Sequence, residues 1–245
     1  MSASIEFSDV SFHYGFRHGD ALENVNFSVA PGSITGLLGR NGSGKSTIAM
    51  LMAGQARAQE GEVRIDGVPV FDNPQGMASV CNAADSMAIF GDEKIKNTLS
   101  LWRDVRPNWD EDFAGQLFET FKISIKKKPD KLSRGQRSAL HAILGLASRC
   151  PVTIFDEVHL GMDAVAREVF YRTVLADYTQ NPRTIIMSSH LIEEIEDLLD
   201  HVLFVHEGKL IESGDADDVR ERHARENKVP SLTDILVEMT IGDIS

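Results

Sequence analysis

The residues best suited to chemistry sit in one run, Gly39-Arg40-Asn41-Gly42-Ser43-Gly44-Lys45-Ser46-Thr47. Glycines at this spacing let the backbone curl until consecutive N–H groups point at phosphate oxygens. The helix that follows the run adds the positive end of its dipole to the same anion. Lys45 would neutralise the outer phosphates, and the Ser46 hydroxyl would be a ligand for Mg²⁺. The pattern points to a nucleoside triphosphate and leaves kinase, GTPase and motor open. A second pair, Asp156-Glu157, follows the apolar run Val152 to Phe155. Asp156 could hold the Mg²⁺ shell while Glu157, one residue on, polarises a water. Acids commonly follow strands, so this pair alone is not specific.

Elements that could position these groups are readable on either side. Ile5 to Phe7, Val10 to Phe12 and Val25 to Val29 read as strands, with Tyr14 to Asp20 as a loop. Ile34 to Leu38 is a short buried strand entering the glycine run, and Thr47 to Ala53 is the helix leaving it. Glu62 to Val70 reads as a hairpin. Helical patterning fills Glu93 to Lys127, with a helix start at Pro107 to Asp110 and one apolar face made by Phe113, Leu117, Phe118 and Phe121. An α/β alternation then resumes: helix Gly135 to Ser148, strand Val152 to Phe155, helix Ala164 to Tyr178 and strand Thr184 to Met187. Helix Ile192 to Leu199 and strands Val202 to Val205 and Lys209 to Ile211 complete it. The expected fold is therefore α/β, a parallel core interrupted by a helical insertion at about 83–129 and ending in a charged tail from about 218.

Leu132-Ser133-Arg134-Gly135-Gln136 resembles the signature loop of ABC ATPases, usually Leu-Ser-Gly-Gly-Gln. Its distance from Asp156 is similar to that family's. Gly161-Met162-Asp163 looks like the D-loop, Ser188-Ser189-His190 like the switch-histidine loop, and Tyr14 stands where an aromatic ring stacks on adenine. The resemblance spans about Ile5 to Gly214, nearly the whole chain. It implies a P-loop sheet core with an N-terminal antiparallel β subdomain and an inserted helical subdomain. It also implies two cassettes, identical or not, paired head-to-tail around two ATP molecules. Tyr14, Lys45, Ser46, Asp156, Glu157 and His190 would lie on one side of each site. Ser133, Gly135 and Gln136 of the second chain would face the γ-phosphate. Glu157 would position water, with His190 on the γ-phosphate. A separate membrane permease would dock on the helical subdomain, at the inner face of the cell membrane. The pattern looks most like type-2 exporter ATPases of GntR-regulated operons. A soluble ATPase such as an iron–sulfur assembly partner is the alternative.

Three positions depart from the family pattern. Asn82 stands where a glutamine usually meets Mg²⁺ and water, and its amide is about 1.5 Å shorter in reach. Arg134 replaces the first signature glycine. Glu157-Val158-His159-Leu160 replaces the commoner Glu-Pro-Thr-Ser, which places His159 near the dimer seam as a neutral surface change or a pH-sensitive contact.

Composition bounds the rest. The 245 residues are 42% hydrophobic and allow one large α/β domain. A net charge of −12 argues against a nucleic-acid partner, despite the Lys126 to Lys128 run, which reads as solvated. Cys81 and Cys150 suit a reducing cytoplasm. Met1 to Glu6 shows no leader pattern, and no apolar run approaches the ~20 residues of a membrane helix.

Overall fold

The computed structural model describes residues 2–15, 21–87, 89–225 and 229–241. Most of the loop expected between Tyr14 and Asp20, and parts of the charged tail, lie outside them. Short apolar stretches with β-branched residues form a six-stranded sheet, β3 (Ile34–Leu38), β6 (Val80–Ala83), β7 (Val152–Asp156), β8 (Thr184–Ser189), β9 (His201–His206) and β10 (Lys209–Asp215). Its order is β10-β9-β3-β8-β7-β6, parallel except for β10, which returns antiparallel on β9. A second, antiparallel sheet has the order β2-β1-β4-β5, from β1 (Ile5–Phe12), β2 (Leu22–Val29), β4 (Glu60–Ile65) and β5 (Val68–Pro69). The two stretches expected as separate strands are one strand, β1. Asp9 at φ 52° makes an irregularity between them, and the ladder resumes beyond it.

Alternation along the central strands divides the core in two. Leu37, Ile154, Ile186 and Leu203 pack with α1 (Lys45–Met52) and the antiparallel sheet. Leu38, Phe155, Met187 and Phe204 pack on the opposite face with the helical layer. That layer comprises α3 (Ile95–Val105), α4 (Glu111–Thr120), α5 (Arg134–Ala147) and α6 (Ala164–Gln180), with α8 (Leu232–Ile241) at its margin. Short α2 (Pro74–Ala78) and α7 (Ala216–Arg222) cover strand ends. In α4 the expected face is observed: Leu117 and Phe118 are buried, with Phe113 and Phe121 packed against them. Among the described residues no helix is long and apolar enough to cross a membrane.

The helix expected over Ile192 to Leu199 does not form. Two 3-10 turns, Ile192–Glu194 and Glu196–Leu198, replace it. The acids of this stretch are drawn outward in different directions. Glu194 meets Arg167 at 2.8 Å, and Glu196 accepts the Leu232 amide at 3.0 Å while pairing with Arg220. Four carboxylates within five residues also repel along a helix face.

Candidate functional site

Parallel strands present their carboxyl ends together, and here β3, β8 and β7 are neighbours in that order. The glycine loop leaves β3, His190 follows β8, and Asp156-Glu157 closes β7, with Asp156 level with Ser188. Residues up to 151 positions apart in sequence, Gly39 to His190, thus meet at the carboxyl ends of neighbouring strands.

The loop before α1 depends on its glycines. A Cβ at Gly39 would lie 2.2 Å from the Val205 carbonyl oxygen, and Gly44 caps α1 with φ 112°. The Gly208 amide donates to the Ser43 carbonyl at 2.9 Å and fastens the loop to the β9–β10 turn. Lys45 is buried, its Nζ donating to the carbonyls of Gly39 at 2.9 Å and Arg40 at 3.1 Å, with Glu157 Oε1 at 3.5 Å. Burial lowers its pKa, and the carboxylates of Glu157 and Asp156 partly restore it. Arg40, Asn41, Gly42 and Ser46 are exposed, whereas Ser43 and Thr47 are buried. Tyr14, half exposed, reaches across so that its hydroxyl lies 3.1 Å from Thr47 Oγ1.

Glu157 adopts φ 52° and ψ 25°, a left-handed conformation that costs a residue with a Cβ about 1–2 kcal/mol. Its amide donates to the Ser188 carbonyl at 3.3 Å, and its Oε1 lies 3.0 Å from His190 Nδ1. The strained turn therefore aims the carboxylate at both Lys45 and His190. Asp156 is half-buried, and its Oδ1 is buried with no protein partner.

Two adjoining cavities share Ser46 and Glu157. One of about 430 Å³ includes Tyr14, Asn41, Gly42, Lys45 and Thr47 in its wall. The other, about 350 Å³, is lined by Asp85, Arg134, His141 and Asp156 among others. Ser133, Gly135 and Gln136 line neither. Ser133 Oγ accepts the Gln136 amide at 3.2 Å, and Gln136 Oε1 accepts the Ser133 amide at 3.4 Å, a reciprocal cap on α5. Asp163 caps α6 by accepting the Ala166 amide at 2.8 Å.

A family model described as "ABC transporter" matches residues 22–159, more than half of the chain. The chain belongs to the ABC transporter family. Among curated relatives, the ABC transporter ATP-binding protein YtrB of Bacillus subtilis is 28% identical over 83% of this chain and 70% of its own length. The bacitracin transport ATP-binding protein BcrA of Bacillus licheniformis is 26% identical over 92% and 74%. An ATP-dependent lipid A-core flippase of Aliivibrio fischeri is 28% identical over 87% of the chain, which spans only 38% of that protein. A solved ATP-binding subunit of an ABC transporter superposes with a TM-score of 0.83 at 23% identity, covering 96% of this chain and 99% of that one. A dimeric ATP-binding cassette in a post-hydrolysis state with ADP and Pi superposes at 0.76 and 17% identity, over 86% and 98%. The chain is thus an ATP-binding, ATP-hydrolysing transporter cassette with the expected two-sheet fold.

Two expectations from sequence need correcting in this cassette. Asn82 lies inside β6, level with Ile154, and is buried; its Oδ1 has no hydrogen-bond partner, and it lines neither cavity. The segment reaches the site only after the strand ends at Ala83, so the polar residues it brings there are Asp85 and Ser86. His159 is neither a surface change nor an exposed pH sensor. It is 1% exposed, and its Nε2 is 3.1 Å from Ser189 Oγ. Sequence gave no sign of this, because the partner lies 30 residues away on another strand.

Burial pushes His159 down to about 4 and does the same to His141, against the opposing pull of Glu157 and Asp85 respectively. Both rings are neutral when folded, while the unfolded chain takes up protons below about 6.5. Stability is therefore lost as pH falls from 6.5 towards 4. By pH 5.5 the loss amounts to about 1 kcal/mol per histidine. His141→Gln is expected to flatten this fall in denaturant titrations; an unchanged slope would count against a neutral buried His141.

Proposed function

We propose that this cassette binds ATP between Tyr14, the loop Gly39 to Thr47, Asp156, Glu157 and His190, and completes the site with the signature loop of a second cassette. The observation carrying the proposal is that Lys45 and His190 both lie within 3.5 Å of Glu157 while Ser133, Gly135 and Gln136 stay outside both cavities. The cap takes up the Ser133 and Gln136 amides but not the Ser133 hydroxyl proton, which with the Arg134 and Gly135 amides stands at the positive end of the 14-residue α5, suited to an anion. A second chain brings that end to the γ-phosphate. The dimeric cassette similar in fold is consistent with such pairing.

Mg²⁺ fits the residues present. Asp156 carries a buried oxygen without a protein partner, and the Ser46 hydroxyl shares its cavity. Mg²⁺ favours one or two such oxygens plus substrate phosphates. Among the described residues there is no cluster of three or more His, Cys, Asp or Glu to cage it without substrate. The ion would offset phosphate charge; Asp85 stands in the same cavity, where Asn82 does not reach. Lys45 binds the phosphates, Glu157 orients water and accepts its proton, and His190 holds Glu157 and meets the γ-phosphate.

Phe90, Leu101, Val105 and Ile125 of the helical insertion are exposed apolar side chains, which supports docking of a separate permease at the inner face of the membrane. Ser133→Arg is the test of the shared site. It should retain ATP binding by the single chain and lose ATP-dependent dimers in light scattering. Loss of monomer ATP binding would place the signature in its own chain's site. Capture with detergent-solubilised membrane protein tests the permease; a partner requiring no detergent would contradict it.

A further inference from the structure

His159 sits two residues after Glu157, in the 3-10 turn Val158–Gly161, and its ring is backed by Tyr171 of α6 at 6.0 Å between ring centres. Tyr171 is itself fixed, its hydroxyl donating to Glu194, which also pairs with Arg167. Opposite the ring, Ser189 is fully buried and directly precedes His190. Its Oγ accepts the Leu191 amide at 2.9 Å, which leaves the hydroxyl proton for His159 Nε2 at 3.1 Å. Two side-chain contacts thus join the loops, beside the backbone bond from the Glu157 amide to the Ser188 carbonyl. One, between Glu157 Oε1 and His190 Nδ1, is made by the groups proposed to react. The other, between His159 and Ser189, lies beneath it and involves no reacting group.

We propose that His159 is a positioning residue, which through Ser189 holds the turn carrying His190 in register with Glu157 during turnover. The inference rests on the roles proposed above for Glu157 and His190. The brace works because both partners are buried: their hydrogen bond meets no competing water and is costly to leave unmade. It ties a segment that ends in Asp163, at the start of α6, to the strand end that bears His190.

The experiment compares steady-state ATP hydrolysis by His159→Leu, His159→Gln, Ser189→Ala and the double variant His159→Leu/Ser189→Ala. Misplacing one catalytic group is expected to lower kcat about tenfold in His159→Leu and Ser189→Ala, with KM for ATP within about twofold. The double variant should be no worse than either single one, since both remove the same bond. His159→Gln, whose amide can reach Ser189, should recover most of kcat. Wild-type kcat in both single variants, multiplicative losses in the double, or no recovery with Gln would each overturn the brace. Should His159→Leu fail to fold, Ser189→Ala, which removes one oxygen, decides by its kcat. His190→Ala is run alongside: normal turnover there would refute the underlying reading of the site. Its loss of turnover beside unaffected His159 and Ser189 variants would refute the brace alone.

Discussion

Glu157→Gln is expected to cut ATP turnover by about two to three orders of magnitude while leaving ATP binding intact, the range associated with losing a positioned general base. The geometry explains why those effects should separate. Glu157 Oε1 lies 3.0 Å from His190 Nδ1 and 3.5 Å from Lys45 Nζ, so an amide of the same size keeps the site filled and can still accept from both. What it loses is a negative charge beside the place where the triphosphate binds, and the basicity needed to take a proton from water. The first change favours ATP; the second stops its hydrolysis. ATP-bound pairs should therefore accumulate. Phosphate release together with solution mass in ATP checks both halves. Turnover within about threefold of the parent would remove Glu157 from the reaction.

What sequence revealed of this site was local, and what it hid was long-range. The loop Gly39 to Ser46 is legible because a phosphate cradle is built from consecutive backbone amides, so its glycines and lysine sit close in sequence. Asp156-Glu157 is legible for a similar reason: a parallel strand ends in its ligand groups. Asn82 misled because the family pattern marks a segment, whereas the residue that reaches the cavity depends on where β6 ends. That end, at Ala83, is fixed by pairing with Phe155 of β7 and leaves no mark in the local residues. His159 misled because its neighbours in sequence suggest a surface turn, yet Ser189 and Tyr171, 30 and 12 residues away, close over it. The antiparallel sheet and the order of α/β elements were readable from period and length. The two 3-10 turns after His190 were not, since the partners that draw Glu194 and Glu196 away lie on other elements.

The same long-range logic governs how α4 is anchored, and it predicts the largest loss of stability. Asp177, near the end of α6, has a side chain only 2% exposed and accepts from two arginines, Arg149 and, at 2.8 Å, Arg183. Arg183 is equally buried and reaches Thr153 Oγ1 on β7 at 3.1 Å. Arg149 spans the boundary, bonding through Nε and the guanidinium to Asp110 at 3.1 and 2.9 Å while lying over the Phe113 ring at 4.3 Å. Asp110 in turn caps α4 by accepting the Phe113 amide at 2.9 Å. Two carboxylates thus balance two guanidiniums, and Arg149, bonded to both acids, ties the start of α4 to the end of α6. Asp177→Ala leaves the buried Arg183 without its carboxylate and Arg149 with Asp110 alone, a change expected to cost about 3–5 kcal/mol. In a chain of this size that corresponds to a fall of roughly 10 °C in Tm. Asp110→Ala, whose carboxylate is one-third exposed, should lose about 1–2 kcal/mol, the worth of a helix cap, because water can solvate what Arg149 loses there. Thermal unfolding of the two variants beside the parent tests the ranking. Equal, small shifts would show that water reaches Asp177 and that the network is a surface feature.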